Sequence, residues 1–438
     1  MNTEREFLDI MTQLLKRAQV VFTELYDNDD LPCEQVERRR FLDKATYRYR
    51  SVSRPLFWSI TGEIMFNLEN DGAVVRLGEF LESQRPFSSH MNEMVGTSFE
   101  SERIWTKELL EQILRYYLTR KWSFQNDGRL LKTIFSTLRQ HFNSKTIAST
   151  YNQFLANVAP MLKRTSFGNI RLIRLESREL EFLCNNNAYF RQFFDSRDHH
   201  PPRPRMARLT LSEQDPRIIG EREPSNVAID RYYRFRDIID SLRLVSRSPI
   251  GTSGFQMESR IMPFYNVGGV MGTPSYCRPP IADELDISSL RTARATYKLL
   301  REVGRTKSRV AKLALARIES ADRRDSPEDR ILDLFIGFEA VVLGNLWNQS
   351  KVQGELSFRL CLTTSKYLGR DTKERDRIYR AMRNGYDLRS SIIHGSTCDA
   401  SELSEAVVEL SGIYKRLLLK WCTDVSRGYS PDPLKLLI

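Results

Sequence analysis

The sequence predicts an α+β protein that is mainly α, a mixed N-terminal region followed by an all-α helical bundle. Three observations carry that expectation. Apolar residues recur at helical spacing through most of the first 165 positions, the texture changes to short, partly alternating runs after Gly168, and capped helical segments follow one another almost without a break from Asp286 onward.

In chain order, Phe7, Ile10, Met11, Leu14 and Leu15 define a first amphipathic helix, and Leu109, Leu110, Ile113, Leu114, Tyr117 and Leu118 a second. The same spacing predicts helices over Leu130 to Phe142 and Thr146 to Leu162. Ile170 to Glu176 and Met206 to Leu211 read as strands. His199-His200-Pro201-Pro202-Arg203-Pro204 between them reads as a loop, because proline lacks a donor and turns its predecessor away from helix. Tyr232 to Leu244 is helical in pattern, whereas Ser248 to Pro280 is rich in Gly, Pro and Ser and reads as an interdomain or surface segment. Thereafter Asp286 or Ser288 caps one helix, Ser326-Pro327-Glu328-Asp329 opens another, and Gly369 and Gly395 close two more. The organisation expected is thus a mostly helical region over 1–165, a mixed and loop-rich region over 166–285 that could be continuous with it, and a helical domain over 286–438.

The 438 residues exceed what one core usually holds, and a hydrophobic fraction of 41% suffices for packed interiors. No run reaches the roughly 18 uninterrupted apolar residues of a membrane span; the nearest, Ile331 to Trp347, is broken by Asp333, Glu339 and Asn345. The first residues lack the basic-then-apolar order of a signal peptide, so the expectation is a cytoplasmic protein away from membranes. Six cysteines are scattered without a C-x-x-C, which argues against a zinc site or a disulfide framework. The adjacent His199 and His200 have no carboxylate pattern beside them, and no Walker A, G-x-G-x-x-G or G-x-S-x-G is present. A net charge of +11, weighted towards the C-terminal segment, favours a polyanionic partner. Aromatic and basic residues interleave at Arg38-Arg39-Arg40 with Tyr47 to Arg50, at Arg115 to Trp122, and at Arg231 to Arg236, a composition in which rings can stack on bases and cations can meet phosphates.

The most informative segment is Tyr386-Asp387-Leu388-Arg389-Ser390-Ser391-Ile392-Ile393-His394-Gly395. It sets an Arg and a His five positions apart at the end of a basic helix. The guanidinium is permanently charged and forks onto phosphate oxygens, and the imidazole can both take and give a proton near neutral pH. On a helical wheel at about 100° per residue, Ile378, Met382, Tyr386, Leu388, Ile392 and Ile393 fill one arc that includes Arg389. Asp387, Ser390, Ser391 and His394 lie opposite, which leaves Arg389 and His394 about 140° apart. Upstream, Glu339 interrupts the apolar stripe Leu332, Phe335, Val342, Leu346, so a carboxylate is expected to need a cationic partner, with Arg389 and Arg359 the candidates.

This segment resembles the R-x4-H signature of HEPN domains, and the run around it is similar to the Apea-like branch of that family. Leu334 to Ala340, with its Glu in an apolar helix, then Glu355 to Leu360, then the Tyr-x-x-Arg-Ser-x-x-x-His-Gly element occur in the expected order. The resemblance covers about the last 150 residues. It implies a dimeric, all-helical domain that, in active members, cuts RNA without metal or cofactor, leaving a 2′,3′-cyclic phosphate. Carried onto this chain, His394 would move the proton of the ribose 2′-OH or of the leaving oxygen, Arg389 would stabilise the pentacoordinate phosphate, and Ser390 would orient one or the other. Glu339, Tyr386 and Asp387 would support them. Many catalytic members carry Asn, Asp or His after the Arg where this chain has Ser390. The function expected is an endoribonuclease acting as a toxin or antiviral-defence effector, with the N-terminal region sensing a protein or nucleic-acid trigger. The alternative is a non-catalytic HEPN module that binds RNA or a protein and dimerises.

Overall fold

A computed structural model of the chain describes residues 3–27, 33–43, 46–55, 57–68, 70–84, 101–121, 123–176, 179, 206–216, 225–262, 265–271, 283–304, 308–343 and 356–429. Twelve helices and eleven strands are formed among them, a mainly α, α+β architecture. The chain divides into two compact units, the first comprising Met1–Tyr151, Ser212–Ile229 and Gln256–Val270, the second Asn152–Leu211, Asp230–Phe255 and Met271–Ile438.

In the first unit, α1 (Thr3–Asp27), α2 (Phe57–Leu68), α3 (Gly72–Ser83), α4 (Ser101–Lys121) and α5 (Gly128–Asn143) share one core. The stripes legible in the sequence converge there: Phe7 of α1 meets Phe80 of α3 at 6.0 Å and Phe135 of α5 at 5.1 Å between ring centroids. Asp127 caps α5 by accepting from the Arg129 and Leu130 amides at 3.0 Å each. Between α1 and α2 the chain forms a two-stranded antiparallel hairpin, β1 (Cys33–Asp43) and β2 (Thr46–Pro55), so the Arg38–Arg40 and Tyr47–Arg50 clusters lie on strands rather than in a helical region. The register sets Arg38 opposite Arg50 and Arg40 opposite Arg48.

The pattern over Thr146 to Leu162 resolves as strands, not as the helix its spacing suggests. β3 (Thr146–Ala156) and β4 (Val158–Pro160) are separated by Asn157 in a left-handed conformation at φ 69°. Thr146, Ile147, Thr150, Tyr151 and Val158 are β-branched or aromatic, types that favour a pleated surface, and Pro160 cannot continue a helix. The strands expected at Ile170 and Met206 are present as β6 (Ile170–Arg174) and β7 (Met206–Pro216). The loop at 199–204 lies outside the described residues. The Gly-rich stretch after Ser248 contains β8 (Gly251–Thr252), β9 (Phe255–Met262) and β10 (Tyr265–Met271).

In the second unit, strands run in the order β3-β7-β6-β5, with β5 spanning Arg164–Phe167 and β8 pairing with β3, and β4 pairs in parallel with β11 (Asp283–Leu285). α6 (Ser225–Val245) and α7 (Ile287–Val303) follow in sequence, then α8 (Arg309–Arg323), α9 (Pro327–Leu343), α10 (Leu356–Leu368), α11 (Thr372–Ile393) and α12 (Ala400–Ser426), so every described element after Asp286 is helical. Asp286 is the cap of α7, its carboxylate accepting the Ser289 amide at 2.7 Å. The bundle core gathers Phe335 and Phe338 of α9, Ile378 and Met382 of α11, and Leu410 and Tyr414 of α12. Helices approach closely where glycine permits: a Cβ at Gly337 would overlap the Tyr414 ring, and one at Gly385 would lie 2.6 Å from Leu410 Cδ1. No helix of the described residues is long and apolar enough to cross a membrane.

Candidate functional site

The motif occupies the last turns of α11 and its cap. Asp371 starts the helix by accepting the Glu374 amide at 2.8 Å. The helical path then runs to His394, whose backbone (φ −85°, ψ 6°) is still near-helical and whose amide donates to the Ser390 carbonyl at 3.0 Å. Gly395 turns left-handed at φ 73°, which lets the Ser396 amide reach back to the Ser391 carbonyl at 2.9 Å. A side chain at that φ would be strained, which is why glycine terminates the helix there. With the helical path kept through the cap, ideal geometry sets His394 about 140° around the axis from Arg389.

Burial fades along the apolar stripe of α11. Ile378 and Met382 are fully buried, Tyr386 is half-buried and Ile393 is 56% exposed, so the helix emerges from the core towards its C-terminus. Arg389 sits on the shielded side. Its Nη2 lies 3.3 Å from Glu339 Oε1 of α9, and its Cζ lies 5.2 Å from the Tyr386 ring centroid, close enough for a cation–π contact. Tyr386 in turn packs edge-on against Phe335 at 5.6 Å. The carboxylate in the apolar stripe thus finds Arg389, not Arg359. Burial pushes the Glu339 carboxyl above its ordinary pKa, and the charge of Arg389 offsets part of that shift.

The other motif residues diverge from this cluster. Asp387 is exposed and accepts from Arg383 Nε at 3.2 Å, one turn back. Ser390 is half-buried and contributes its carbonyl to the cap. His394 is exposed, and among the described residues its imidazole makes no hydrogen bond or ion pair. Within one chain, then, Arg389, Glu339 and Tyr386 come together, while His394 and Asp387 face elsewhere. The thiols of Cys361 and Cys422 are buried and pushed up to about 12, which leaves them protonated and unreactive. Among the described residues no group of three or more His, Cys, Asp or Glu is placed to hold a metal ion.

Elsewhere several residues of the aromatic and basic sets take structural roles. Arg236 is buried in a two-bond pair with Glu319 of α8, Nη1 to Oε1 at 2.7 Å, and Tyr232 packs against Phe255 at 5.7 Å. Tyr117 is fully buried, donating to the Gln125 carbonyl at 2.6 Å, and Arg115 pairs with Glu111. Sequence reasoning missed the charge cluster on α6: Arg243 is fully buried, its Nε 2.8 Å from Asp322 and its Nη1 2.9 Å from Asp240. The available signal was Arg236, Asp240 and Arg243 recurring at i, i+4, i+7 beside the apolar Phe235, Ile239 and Leu242.

Comparison of the chain with family models, with curated proteins and with solved structures gave no match.

Proposed function

We propose that the C-terminal bundle is an RNA-directed, HEPN-like module that cleaves RNA by transphosphorylation as a dimer. The observation that supports this most is the contrast between the two motif side chains. Arg389 is held in place by Glu339 and Tyr386, whereas the imidazole of His394 is exposed and uncommitted at the helix end. A fixed cation suits the developing negative charge of a pentacoordinate phosphate, and an exposed imidazole suits proton transfer at the 2′-OH or the leaving 5′-oxygen. Because one chain directs these groups to different sides of α11, the reading assigns the cleft to two copies of the helix. The defence-effector role and the sensing role of the N-terminal region belong to the same proposal.

A second reading, a non-catalytic module that binds RNA or a protein, draws on the same geometry. Arg389 is already neutralised by Glu339 and lies about 140° from His394. Incubating the purified chain with total RNA in excess EDTA separates the two. Cleavage that persists in EDTA, gives 2′,3′-cyclic phosphate ends and disappears in His394→Ala is the expected outcome. Products with 3′-hydroxyl ends, or cleavage retained in His394→Ala, would remove His394 from the centre of the reaction; RNA bound but never cut would favour the second reading.

A further inference from the structure

The register of β5, β6 and β7 places three arginines on one face of the sheet. Antiparallel pairing sets Arg164 opposite Ile173 and Ser166 opposite Arg171, and then Ile173 opposite Arg208 and Arg171 opposite Thr210. Directly opposed residues share a face, so Arg164, Ser166, Arg171, Ile173, Arg208 and Thr210 form one surface, with the arginines around Ile173. Burial follows the same alternation. On β5 and β6, Arg164 and Ser166 are exposed and Arg171 and Ile173 half-buried, while Thr165, Phe167, Ile170 and Leu172 on the opposite face are buried; on β7 Arg208 is half-buried, Thr210 beside it is buried, and Ala207 and Leu209 on the opposite face are buried. That opposite face is covered by α7, where Phe167 meets Tyr297 at 5.9 Å and Arg294 bonds to Thr165 and to the Ser166 carbonyl.

Among the described residues none of the three arginines makes an ion pair, and none of the six residues of this face is acidic. The Nε of Arg208 is enclosed without a hydrogen-bond partner. Charges on an edge strand are a common defence against edge-to-edge association. That accounts for Arg164 on β5, which lies at the end of the strand order, but not for Arg171 and Arg208 on the two strands inside it. Cross-strand stabilisation would instead pair each Arg with an acid, and the partners here are Ile173, Ser166 and Thr210. A face with three uncompensated guanidinium groups and a single apolar residue complements a chain of phosphates. It offers little apolar surface for insertion into a lipid layer. We infer that the β5–β6–β7 face docks the backbone of single-stranded RNA, holding phosphates by the forks of Arg164, Arg171 and Arg208, with guanidinium planes available for bases to stack on.

This surface does not depend on whether the chain cuts RNA. Fluorescence anisotropy with a labelled 20-nucleotide single-stranded RNA of mixed sequence, in the His394→Ala background so that the probe survives, tests it. Arg164→Ala/Arg171→Ala/Arg208→Ala should bind at least about 10-fold more weakly at 0.1 M salt. The slope of log affinity against log salt should fall by about 2, the value for three lost phosphate contacts on a single strand. The triple lysine variant, which keeps the charge, should recover most of the affinity. Unchanged RNA affinity in an alanine variant that melts like its parent would overturn the inference. So would loss of binding to phosphatidylserine vesicles with RNA binding intact, which would assign the face to a membrane. If the triple variant fails to fold, Arg164→Glu alone, at an exposed position, must still weaken RNA binding, and an unaltered affinity there is equally fatal. RNA that binds through this face but is never cut would leave the inference standing and count only against the cleavage reading.

Discussion

Glu339 shows how a single residue couples the candidate site to the stability of the bundle. It occupies a position where the helix pattern calls for an apolar side chain, and it is 26% exposed with Arg389 at 3.3 Å. Because it is not fully enclosed and meets Arg389 at a single close distance, Glu339→Ala should cost about 1 kcal/mol, below the 3–5 kcal/mol of a fully buried pair. The pH dependence has a definite sign. Burial raises the carboxyl above its ordinary value of 4.5, so the folded chain holds this proton to higher pH than the unfolded chain does. Between the unfolded and folded values the native state binds more protons, and stability falls as pH rises through that window. Urea unfolding at intervals from about pH 4 to 7 should show the native chain losing stability relative to Glu339→Gln, which cannot titrate; parallel curves would refute the raised pKa.

At the scale of elements, the bundle depends on two glycines that let helices approach. The Gly337 Cα faces the Tyr414 ring, which is fixed by its hydroxyl donating to the Ala314 carbonyl at 2.9 Å and by edge packing on Phe338 at 4.9 Å. Alanine would raise intrinsic helix propensity by about 1 kcal/mol. The added methyl would nevertheless meet a ring with no room to withdraw, at a cost of about 1–3 kcal/mol or more for overpacking. The expected net result for Gly337→Ala is a lower melting temperature, read by circular dichroism. A gain in stability would show that α9 and α12 can separate freely.

For the whole molecule, the proposed chemistry requires two copies. α11 leaves the core as it approaches its cap, exposing Ile393 beside His394, and Val408 on α12 is 75% exposed. Exposed apolar groups of this kind suit a two-fold contact in which each copy meets the same surface of the other. Light scattering at micromolar concentration should give twice the 51.1 kDa mass of the chain, and Ile393→Asp should shift it to the monomer while abolishing any RNA cleavage. A stable monomer that still cuts RNA would eliminate the shared cleft.

The helices α1, α4, α5 and α9 to α12 were legible in the sequence because an amphipathic stripe is a local property. Phe7, Met11 and Leu14, or Ile378 and Met382, announce a buried face wherever the partner lies. Caps such as Asp286 and stops such as Gly395 were legible for the same reason, since their hydrogen bonds close within one turn. The need of Glu339 for a cation was likewise evident, and the tertiary structure chose Arg389 over Arg359. Spacing misled at Thr146 to Leu162, where 3–4 periodicity and β-branched composition competed and pairing with neighbouring strands decided for sheet. Spacing hinted that Arg236 and Arg243 share a stripe beside apolar residues, but it could not name the acids that compensate them, Glu319 and Asp322, which stand about 80 positions away in sequence. The sequence alone determined most of the helical segments and singled out the residues proposed for phosphate chemistry. Only the tertiary structure decided which of those charges are neutralised and which are left facing solvent, because the energy of a charge depends on neighbours that the fold, not the local pattern, supplies.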